Sequence, residues 1–570
     1  MSYYGQNAIE EIEKNPYILL DITYGVDFKK IDKMAIDLGV SKDDSKRIES
    51  AIKYSLVLSS YNGNTCVLKK NLIQFVINLL DVSAEDIEEG IINLKAQNKI
   101  YTENQEEEWI YLNTFYICEK NIAEKLIGLK NYKNVKEIKH FEKKFLKIEE
   151  TSNIHLSEMQ KEALQAVNNN NVCVITGGPG TGKTTIIKFI IEMYKNENKK
   201  VVLCAPTGRA AKRMSEATGE EATTIHRLLE LGKTEDALDI EKVDYQIAPI
   251  DADIIIIDEM SMVDTFIMNY ILKGIYLGTK LVLVGDINQL PSVGPGNILQ
   301  DIIFSEKITT IELNQIFRQA AKSKIITNAH KVNKGESFIG KDIKEDSLND
   351  FFYINENTQD KMISDLISLC SGRLKKYGDY DFFKNIQVLT PTKKGLFGTK
   401  ELNKLLQSKL NANNAFEKQN GDRIFRVGDR VMQIKNNYDI FWEKNSGETG
   451  TGIFNGELGK ITEIDDDFRT IEIVFDDEKK AIYEYNDLEQ IEHAYSITIH
   501  KSQGSEFDVV IMCLPQTTPM LLTRNLLYTG ITRAKELLII LGPKHVIEYM
   551  IQNEDTKKRN TGLEYKLKSY

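Results

Sequence analysis

Short apolar runs alternate with stretches of helical spacing in the chain after Ser157. Each run has the length and the β-branched content of a parallel strand that is covered on both faces. The runs form two series, VCVIT, KVVLCAPT, DIIIIDEM, KLVLVGD and TTIEL, then IQVLTPT at 386, AYSITIH at 494, VVIMCLP at 509 and ELLIILG at 536. This alternation predicts two doubly wound parallel α/β sheets in tandem.

Residues 421–490 interrupt the second series with a different pattern. The segments DRVMQIK, GELGKITEID, TIEIVFD and KAIYEY alternate apolar and polar positions and are separated by turn residues. A period of two is typical of half-buried antiparallel strands. We therefore expect a small β-barrel inserted into the second α/β domain.

Residues 1–150 predict a mainly helical region. A short helix is expected from Phe28 to a stop near Gly39, after an apolar segment that Gly25 interrupts. The apolar segment and this helix fit either a helix-hairpin-helix unit that binds a DNA phosphate or two core helices joined by a glycine turn. Downstream, two helices and a hairpin give the outline of a winged helix. The acidic hairpin turn Glu106–Glu108 favours packing or a partner contact over insertion into DNA.

Composition and charge narrow the class of protein. With 570 residues, 42% of them apolar and 28% charged, the chain is expected to fold into about three to five globular domains. It carries no signal-like N-terminus and no apolar run near the roughly 18 residues of a membrane span, so a cytoplasmic location is expected. The net charge of −11 does not decide whether a partner is polyanionic, because phosphates are bound by local grooves. The basic run Lys133–Lys147 fits a solvated linker helix or a contact with DNA.

The cysteines and histidines do not form metal-ligand patterns. Six cysteines are scattered without a C-x-x-C pair, and several lie in apolar strands, so they are expected to be reduced core residues. His226 and His500 have no Cys or His partner at ligand spacing. For them we expect structural or phosphate-contact roles.

The segment from Gly177 to Thr184 has the pattern G-x-x-x-x-G-K-[ST], between a predicted strand and a predicted helix. This order lets successive backbone N–H groups turn toward one anion, to which the helix dipole adds its attraction. Lys183 would reach the β and γ phosphates, and Thr184 would bind Mg²⁺. The residues expected to contact ATP are Gly178, Pro179, Gly180, Thr181, Gly182, Lys183, Thr184 and Thr185.

A second group of polar residues completes a hydrolytic site. The buried strand IIII ends in Asp258, expected to face Mg²⁺, and Glu259, expected to polarise the attacking water. Gln289 follows the next strand, and its amide can bind both the γ phosphate and that water. Arg318 and Arg533 are the candidates for cationic groups that reach the transferring phosphoryl group from across the cleft.

In order along the chain, these motifs resemble those of superfamily 1 helicases, and specifically those of the RecD family. The strings that carry the resemblance are LSEMQ, GGPGTGKTT, APTGRAAKRM, TTIHRLL, IIIIDEMSMVD, LVGDINQLPSVGPG, LNQIFRQ, AYSITIHKSQGSEFD and LLYTGITRAK. The resemblance is weaker over about residues 15–130, which are similar to the N-terminal part of stand-alone RecD-like helicases. It implies ATP-dependent movement from 5′ to 3′ on single-stranded DNA with duplex unwinding, in DNA repair or recombination.

The resemblance also implies roles for further residues. Gln160 would bind the adenine edge and Glu506 the ribose, while Gln503 and Gly504 would couple that site to DNA. The residues that match DNA-contacting motifs are Pro206, Thr207, Gly208, Arg209, Thr224, His226, Thr498, His500 and Lys501. Hydroxyls, basic groups and loop amides of this kind follow a phosphate backbone without reading its sequence.

Two inserted elements are implied as well. The barrel at 421–490 resembles the Src-homology-like barrel of these helicases, with Lys435, Asn436 and Asn437 as candidate DNA contacts. A β-hairpin pin that splits the duplex is expected near residues 230–250, on position alone, since the segment is acidic and offers only Tyr245 as an aromatic wedge.

The expected division follows from these assignments. It comprises an N-terminal helical domain with a linker (1–150), a RecA-like motor domain (151–315), a second RecA-like domain (316–420 and 491–550), the barrel (421–490) and a C-terminal tail (551–570). Stand-alone relatives carry a further domain before the region that begins here near Asn15, so we expect a short form or a partner that supplies it. No separate acidic nuclease cluster is found in the sequence.

The expected partners are single-stranded DNA and junctions of single- and double-stranded DNA, with no membrane. A protein partner would bind through the N-terminal domain, and the motor is expected to be monomeric. The main alternative function is an ATP-switched DNA-binding or assembly subunit, or a translocase without strand separation. A relaxase-associated or RNA-directed motor is a third interpretation; the sequence shows no nucleophilic Tyr with a His-rich metal cluster near the N-terminus, which argues against a relaxase on this chain.

Overall fold

The structure, a computed structural model, describes residues 12, 14–22, 26–133, 137–231, 247–317, 320–340, 349–412, 416–554 and 558–570. It contains two parallel sheets covered by helices, a helical N-terminal region and a curled antiparallel sheet. This arrangement confirms the predicted fold class, α/β with two tandem RecA-like domains, a helical and winged-helix-like N-terminal region and an inserted small β-barrel.

The first α/β sheet has six parallel strands. Their order across the sheet is Ala222–Thr224, Val201–Ala205, Ile254–Ile257, Lys280–Gly285, Val172–Gly177 and Thr309–Leu313. The helices that accompany it are Glu158–Asn169, Lys183–Lys195, Gly208–Thr218, Ile225–Leu228, Thr265–Gly274 and Ile298–Phe304. Successive side chains of its strand Val172–Gly177 point to opposite faces, and Val174 and Ile175 each lie in a fully buried core. The five predicted strands of this sheet are confirmed.

The second α/β sheet has five parallel strands. Their order is Phe351–Asn355, Ala534–Gly542, Phe507–Cys513, Ile386–Thr390 and Ser496–Thr498. Its helices are Lys324–Asn333, Gln359–Ser368, Leu374–Gly378, Thr399–Leu410, Arg524–Ile531 and Lys544–Gln552. The four predicted strands are present, and the edge strand Phe351–Asn355 joins them. Its middle residues are only half-buried, which is why its apolar pattern is weak.

The segment inserted into the second α/β series forms a curled antiparallel sheet of seven strands. Their order is Thr449–Ile453, Asn437–Glu443, Lys480–Glu484, Thr470–Phe475, Leu458–Asp465, Arg430–Gln433 and Ile491–His493. A separate hairpin, Glu417–Asn420 with Arg423–Arg426, precedes it. The sheet encloses an apolar core that includes Phe425, Ile461 and Ile473. The predicted barrel strands are confirmed, and we refer to this unit as the barrel.

The N-terminal region combines helices with a three-stranded sheet. The strand order is Cys66–Leu68, Glu108–Leu112 and Ile100–Asn104. The helices are Ile18–Ile22, Phe28–Asp37, Ser45–Ser60, Lys69–Leu80, Ala84–Ala96, Asn113–Lys130 and Phe141–Ser152. The predicted helix, helix, hairpin order is therefore present. Gly25, at the proposed helix-hairpin-helix turn, lies outside the described residues.

Three helices from outside the first α/β unit pack on its sheet. The helix Asn113–Lys130 and the C-terminal helix Leu563–Lys568 contribute buried residues to one of its two cores. The helix Phe141–Ser152, from the basic run, buries Phe141 and Phe145 in the other core. Its role is thus packing on one face, with its lysines on the other. Within the segment expected to be a tail, the helix Leu563–Lys568 packs on this sheet.

Two further expectations can be compared with the structure. All six cysteines are buried and free, as predicted. Within the part of the chain that the structure describes, no helix is both long enough and apolar enough to cross a membrane.

Candidate active site

The phosphate loop joins the strand Val172–Gly177 to the helix Lys183–Lys195. Gly180 and Gly182 have φ angles of +73° and +85°, which L side chains rarely adopt. A Cβ at Gly182 would lie 2.2 Å from Nε2 of Gln160, so glycine is also required there by space. Nζ of Lys183 donates to the carbonyls of Gly177 at 2.5 Å and Gly178 at 3.0 Å, which holds the ammonium against the loop.

Gln160 is buried beside this loop, with 1% of its surface exposed. Its Oε1 accepts a hydrogen bond of 3.0 Å from the backbone N–H of Ser157, as part of a capping box that begins the helix Glu158–Asn169. Its Nε2 is buried and has no hydrogen-bond partner among the described residues. An unpaired buried donor costs free energy, so this amide is suited to an acceptor on a bound base.

Asp258 and Glu259 follow the fully buried strand Ile254–Ile257. The backbone of Glu259 is left-handed, with φ of 55°, a strained conformation that often occurs at functional sites. Its N–H donates to Oδ1 of Asp258 at 2.8 Å. Burial and the neighbouring charge of Glu259 raise the pKa of Asp258.

An arginine that the sequence analysis did not select holds Glu259. Nη2 of Arg213 lies 2.5 Å from Oε1 of Glu259, and Nη1 lies 2.6 Å from Oε1 of Glu506. Burial alone would raise the pKa of Glu259, but Arg213, Arg533 and Lys183 together lower it below its usual value. Glu259 is therefore anionic at neutral pH. Glu506 belongs to the second α/β unit, so the two carboxylates meet across the cleft.

Gln289 lies in the loop that follows the strand Lys280–Gly285. It is 8% exposed, and its Oε1 is buried without a hydrogen-bond partner in the part of the chain that the structure describes. The next residue, Leu290, donates through its N–H to Oγ1 of Thr529 at 3.0 Å and accepts at its carbonyl from Nε2 of Gln503 at 2.9 Å. The N–H and the carbonyl of Leu290 thus bind the loop that carries Gln289 to the second α/β unit.

Arg533 comes from the second unit and is 1% exposed. Its guanidinium donates to the carbonyl of Thr529 at 3.0 Å, the carbonyl of Ser505 at 3.2 Å and Oγ1 of Thr532 at 3.0 Å. Burial lowers its pKa, and the charges of Glu259 and other carboxylates oppose that effect. The positive charge of Arg533 therefore interacts with Glu259, the predicted base.

Arg318, the other predicted cation, lies outside the described residues. A contact that the sequence did not reveal occurs nearby, where Nε2 of His330 lies 3.1 Å from the carbonyl oxygen of Pro179 in the phosphate loop. Ala320 and Phe317 also approach the loop, close to the positions of Gly180 and Gly182. Residues beyond the first sheet thus cover one side of the loop.

The residues predicted to hold Mg²⁺ have suitable chemistry. Thr184 is exposed at the start of its helix, and Asp258 is half-buried at the end of its strand. A hydroxyl and a carboxylate are the oxygen ligands that Mg²⁺ takes together with water and nucleotide phosphates. Among the described residues, no group of three or more His, Cys, Asp and Glu could hold a metal ion. The hydroxyl of Thr184 and the carboxylate of Asp258 fit a metal that is also bound by nucleotide phosphates.

Some of the predicted DNA contacts lie together in a cavity between the first α/β unit and the barrel. The cavity has a volume of about 210 Å³, and Gly208, Arg209 and Thr224 line it. Phe454 and Lys479 of the barrel lie on the opposite wall. The sequence did not indicate either residue, because a barrel strand does not show which unit it will face.

Other predicted contacts lie elsewhere. Thr498 and Lys501 line a second, smaller cavity, and Lys501 is paired with Glu492 at 2.8 Å. The side chain of Arg209 donates to Oγ of Ser505 across the cleft at 2.9 Å. The remaining predicted contacts differ in exposure: Pro206 is buried, Thr207 and His226 are half-buried, and His500 is exposed.

The barrel candidates have partners within the barrel. Lys435 pairs with Glu489 at 3.2 Å, and Nδ2 of Asn437 donates to Gln490 at 2.9 Å. Oδ1 of Asn436 accepts from the backbone N–H of Asn455 at 3.0 Å. The predicted pin falls largely on residues 232–246, which lie outside the described residues.

Comparison with known proteins places this site in a family. Four family models match the chain: an AAA domain (155–348), the SH3 domain of ATP-dependent RecD-like DNA helicases (402–475), the C-terminal domain of UvrD-like helicases (493–541) and the HHH domain of ATP-dependent RecD2 DNA helicases (1–66). The RecBCD enzyme subunit RecD of Buchnera aphidicola is 30% identical over 466 residues, covering 70% of this chain and 74% of that protein. The chain belongs to the RecD family. The resemblance inferred from the motifs is thus confirmed, and with it the assignment to the ATP-hydrolysing helicases of superfamily 1.

Other members of the RecD family and one solved structure are also similar. The ATP-dependent RecD2 DNA helicase of Deinococcus radiodurans is 27% identical over 100% of this chain and 75% of that protein. A Pif1 helicase from Bacteroides, solved in complex with ADP-AlF3 and single-stranded DNA, is 22% identical with a TM-score of 0.41. That match covers 70% of this chain and 94% of the Pif1 chain.

Proposed function

We propose that the chain is an ATP-dependent DNA helicase that moves from 5′ to 3′ on single-stranded DNA and separates duplex strands in DNA repair or recombination. The observation that carries the proposal is the shared ion cluster, in which Glu259 of the first unit meets Glu506 of the second through Arg213. Since the hydrolytic residues come from both α/β units, each turnover is coupled to the relative position of the units. Such coupling is what converts hydrolysis into movement.

Each residue of the site has a part in hydrolysis. Lys183 binds the β and γ phosphates, and Gln160 directs its free amide to the adenine edge. Glu259 accepts a proton from the attacking water, which the amide of Gln289 orients. Arg533, with Arg318 as its predicted counterpart, stabilises the negative charge that develops on the phosphoryl oxygens.

The metal would be held by Thr184 and Asp258. When bound, Mg²⁺ neutralises charge on the phosphate oxygens. Glu259 is in the anionic form, which is the form of a carboxyl group that can accept the proton of the attacking water.

The DNA path would run along the cavity between the first unit and the barrel, over Gly208, Arg209 and Thr224. Phe454 offers a face for stacking a base. Lys479 is paired with Glu457 at 3.2 Å and Asp477 at 2.9 Å, so it would exchange these carboxylates for a phosphate. The second cavity, with Thr498 and Lys501, would continue the path on the second unit. These groups follow a backbone and give no sequence preference.

The chain would act as a monomeric motor built from the units predicted above: residues 1–150, 151–315, 316–420 with 491–550, the barrel at 421–490 and the segment 551–570. The N-terminal region would bind a protein partner. The acidic turn at Glu106–Glu108 supports this, because an acidic wing tip is unlike one that inserts into DNA.

The test measures ATP hydrolysis with and without single-stranded DNA, together with unwinding of duplexes that carry a 5′ or a 3′ tail. We expect stimulation by DNA, unwinding from the 5′ tail, and loss of both activities in Lys183→Ala. Lys188→Ala, an exposed lysine on the same helix, is the matched control and is expected to behave as wild type. Absence of stimulation by DNA would overturn the motor, and unwinding from a 3′ tail alone would overturn the polarity.

The second candidate is an ATP-switched binding subunit without strand separation. The electrostatic interaction of Arg533 with Glu259, together with the presence of Gln289, favours turnover, because a pure switch does not need a base and a cation. Stimulated hydrolysis without strand separation of either duplex would favour a translocase instead.

A further inference from the structure

Arg213 lies between two carboxylates that belong to different units. Its two terminal nitrogens contact Glu259 at 2.5 Å and Glu506 at 2.6 Å. The side chain of Glu259 is 6% exposed, while those of Arg213 and Glu506 are about one-third exposed, at 30% and 34%. The guanidinium can therefore leave toward solvent, whereas Glu259 stays in place.

The helix that carries Arg213 begins at the predicted DNA contacts. The helix is Gly208–Thr218, and Oγ1 of its N-cap residue, Thr207, accepts a hydrogen bond from Ala210. Arg209 and Arg213 are four residues apart, so they share one face of this helix and are separated by about 6 Å along its axis. A displacement at the start of the helix is transmitted directly to Arg213.

The start of this helix contacts residues 504–507 of the second unit. Arg209 donates to Oγ of Ser505 at 2.9 Å, next to Glu506, and its guanidinium lies 5.9 Å from the ring centre of Phe507. Gly504 packs on the N-cap, where a Cβ would lie 2.7 Å from Oγ1 of Thr207. DNA phosphate at Thr207 and Arg209 would thus compete with contacts that fix Arg213.

The pairing has a consequence for chemistry. Oε1 of Glu259 accepts from Arg213, and this ion pair stabilises the carboxylate form, so the paired Glu259 is a weaker acceptor for a proton from water. Hydrolysis is therefore expected to be faster when the guanidinium withdraws from Glu259. Coupling between two sites requires two states of the protein. Here these are a state in which the Arg213–Glu259 ion pair is formed and a state in which it is broken.

We propose that Arg213 is a positioning residue that couples DNA binding to ATP hydrolysis, by holding Glu259 in an ion pair until DNA engages the start of its helix. The inference rests on the proposed function, because it assigns DNA to Thr207 and Arg209 and the base to Glu259. It adds a residue that neither the motifs nor the family comparison assigns. It differs from a purely structural role in predicting that loss of the arginine increases hydrolysis without DNA.

The test uses the full chain with Arg213→Gln, Arg213→Lys and the matched charge-loss control Lys188→Gln. The kcat and KM for ATP are measured with and without single-stranded oligothymidine, and DNA affinity is measured by fluorescence anisotropy. For Arg213→Gln we expect the DNA-free kcat to rise by about tenfold and the DNA-bound kcat to stay close to wild type, while the DNA affinity rises because DNA no longer competes with the ion pair. Arg213→Lys keeps the charge without the planar fork and should give an intermediate DNA-free rate. Lys188→Gln should match wild type.

Two results would overturn the inference while leaving the helicase proposal intact. One is a wild-type ratio of DNA-stimulated to DNA-free kcat in Arg213→Gln. The other is an equal loss of both rates, which would indicate a structural or directly catalytic role. If Arg213→Gln does not fold, the same two outcomes apply to Arg213→Lys. If wild type itself is not stimulated by DNA, the proposed function fails first.

Discussion

The hydroxyl of Tyr528 donates a hydrogen bond of 2.6 Å to Oδ2 of Asp286 across the cleft between the two α/β units. Both side chains are buried, at 1% exposure each. Burial, with the charge of Asp286, raises the pKa of Tyr528 well above its usual value, so the phenol remains a donor. The hydroxyl also lies near the phosphate loop, since a Cβ at Gly178 would be 3.0 Å from it. The hydrogen bond from Tyr528 to Asp286 thus connects the second α/β unit to the end of the strand Lys280–Gly285, next to the phosphate loop.

Tyr528→Phe should therefore weaken closure of the cleft. The change leaves a buried carboxylate oxygen without its donor, at a cost of about 1–3 kcal/mol to the closed arrangement. We expect kcat/KM for ATP to fall by about tenfold, measured in steady state with saturating single-stranded DNA.

The matched control is Tyr353→Phe, which removes a hydroxyl from the edge of the same sheet. That hydroxyl donates to the carbonyl of Gly542 at 3.1 Å, away from the nucleotide loop. Its kcat/KM should equal that of wild type. A wild-type value in Tyr528→Phe would show that the contact with Asp286 does not contribute to closure.

The parts of the site that could be predicted from the sequence are those whose residues lie close together in the chain. A buried strand, a glycine-rich loop and a helix follow one another around Lys183, so the covalent sequence alone fixes their geometry. The same holds for Asp258 and Glu259, which follow a run of four buried isoleucines. In each case the informative residues lie within a few positions of one another.

The contacts that could not be predicted join residues far apart in the chain. Arg213 lies 46 positions from Glu259 and 293 from Glu506, and a single arginine on an amphipathic helix ordinarily faces solvent. The C-terminal helix is another example. Its six residues, Leu563–Lys568, are too few to form a helix without tertiary packing, which Leu563 and Leu567 supply.

Arg559 is expected to fasten the C-terminal segment to the loop after Gln289. Its guanidinium donates to the carbonyls of Gly294 at 2.9 Å, Gly296 at 2.7 Å and Ser292 at 2.5 Å. Arg559→Ala removes these charge-assisted bonds and should lower the free energy of unfolding by about 2–4 kcal/mol. Denaturant unfolding of the full chain, followed by tryptophan fluorescence and circular dichroism, measures the effect.

Lys558→Ala is the control for Arg559, because it removes an exposed positive charge at the preceding position. Its unfolding should match that of wild type. Equal stability of Arg559→Ala and Lys558→Ala would show that the carbonyl contacts do not stabilise the fold.

A substitution at Gln160 can separate the role of this residue in base recognition from its role in the fold. In Gln160→Glu the carboxylate can still accept the hydrogen bond of 3.0 Å from Ser157, and glutamate is favoured at this capping-box position. The unpaired Nε2 donor beside Gly182 is lost. Thermal unfolding should therefore be unchanged, while KM for ATP should rise by about tenfold or more because the adenine edge faces an acceptor.

The added negative charge could also repel the triphosphate, so KM is compared for ATP and UTP. Repulsion would raise both values equally, whereas loss of a purine contact raises the value for ATP alone. Gln165→Glu introduces the same charge elsewhere on the helix Glu158–Asn169 and should leave both values unchanged. A parallel rise for ATP and UTP in Gln160→Glu would contradict the assignment of Gln160 to the adenine, since the free amide would then have no partner on the base.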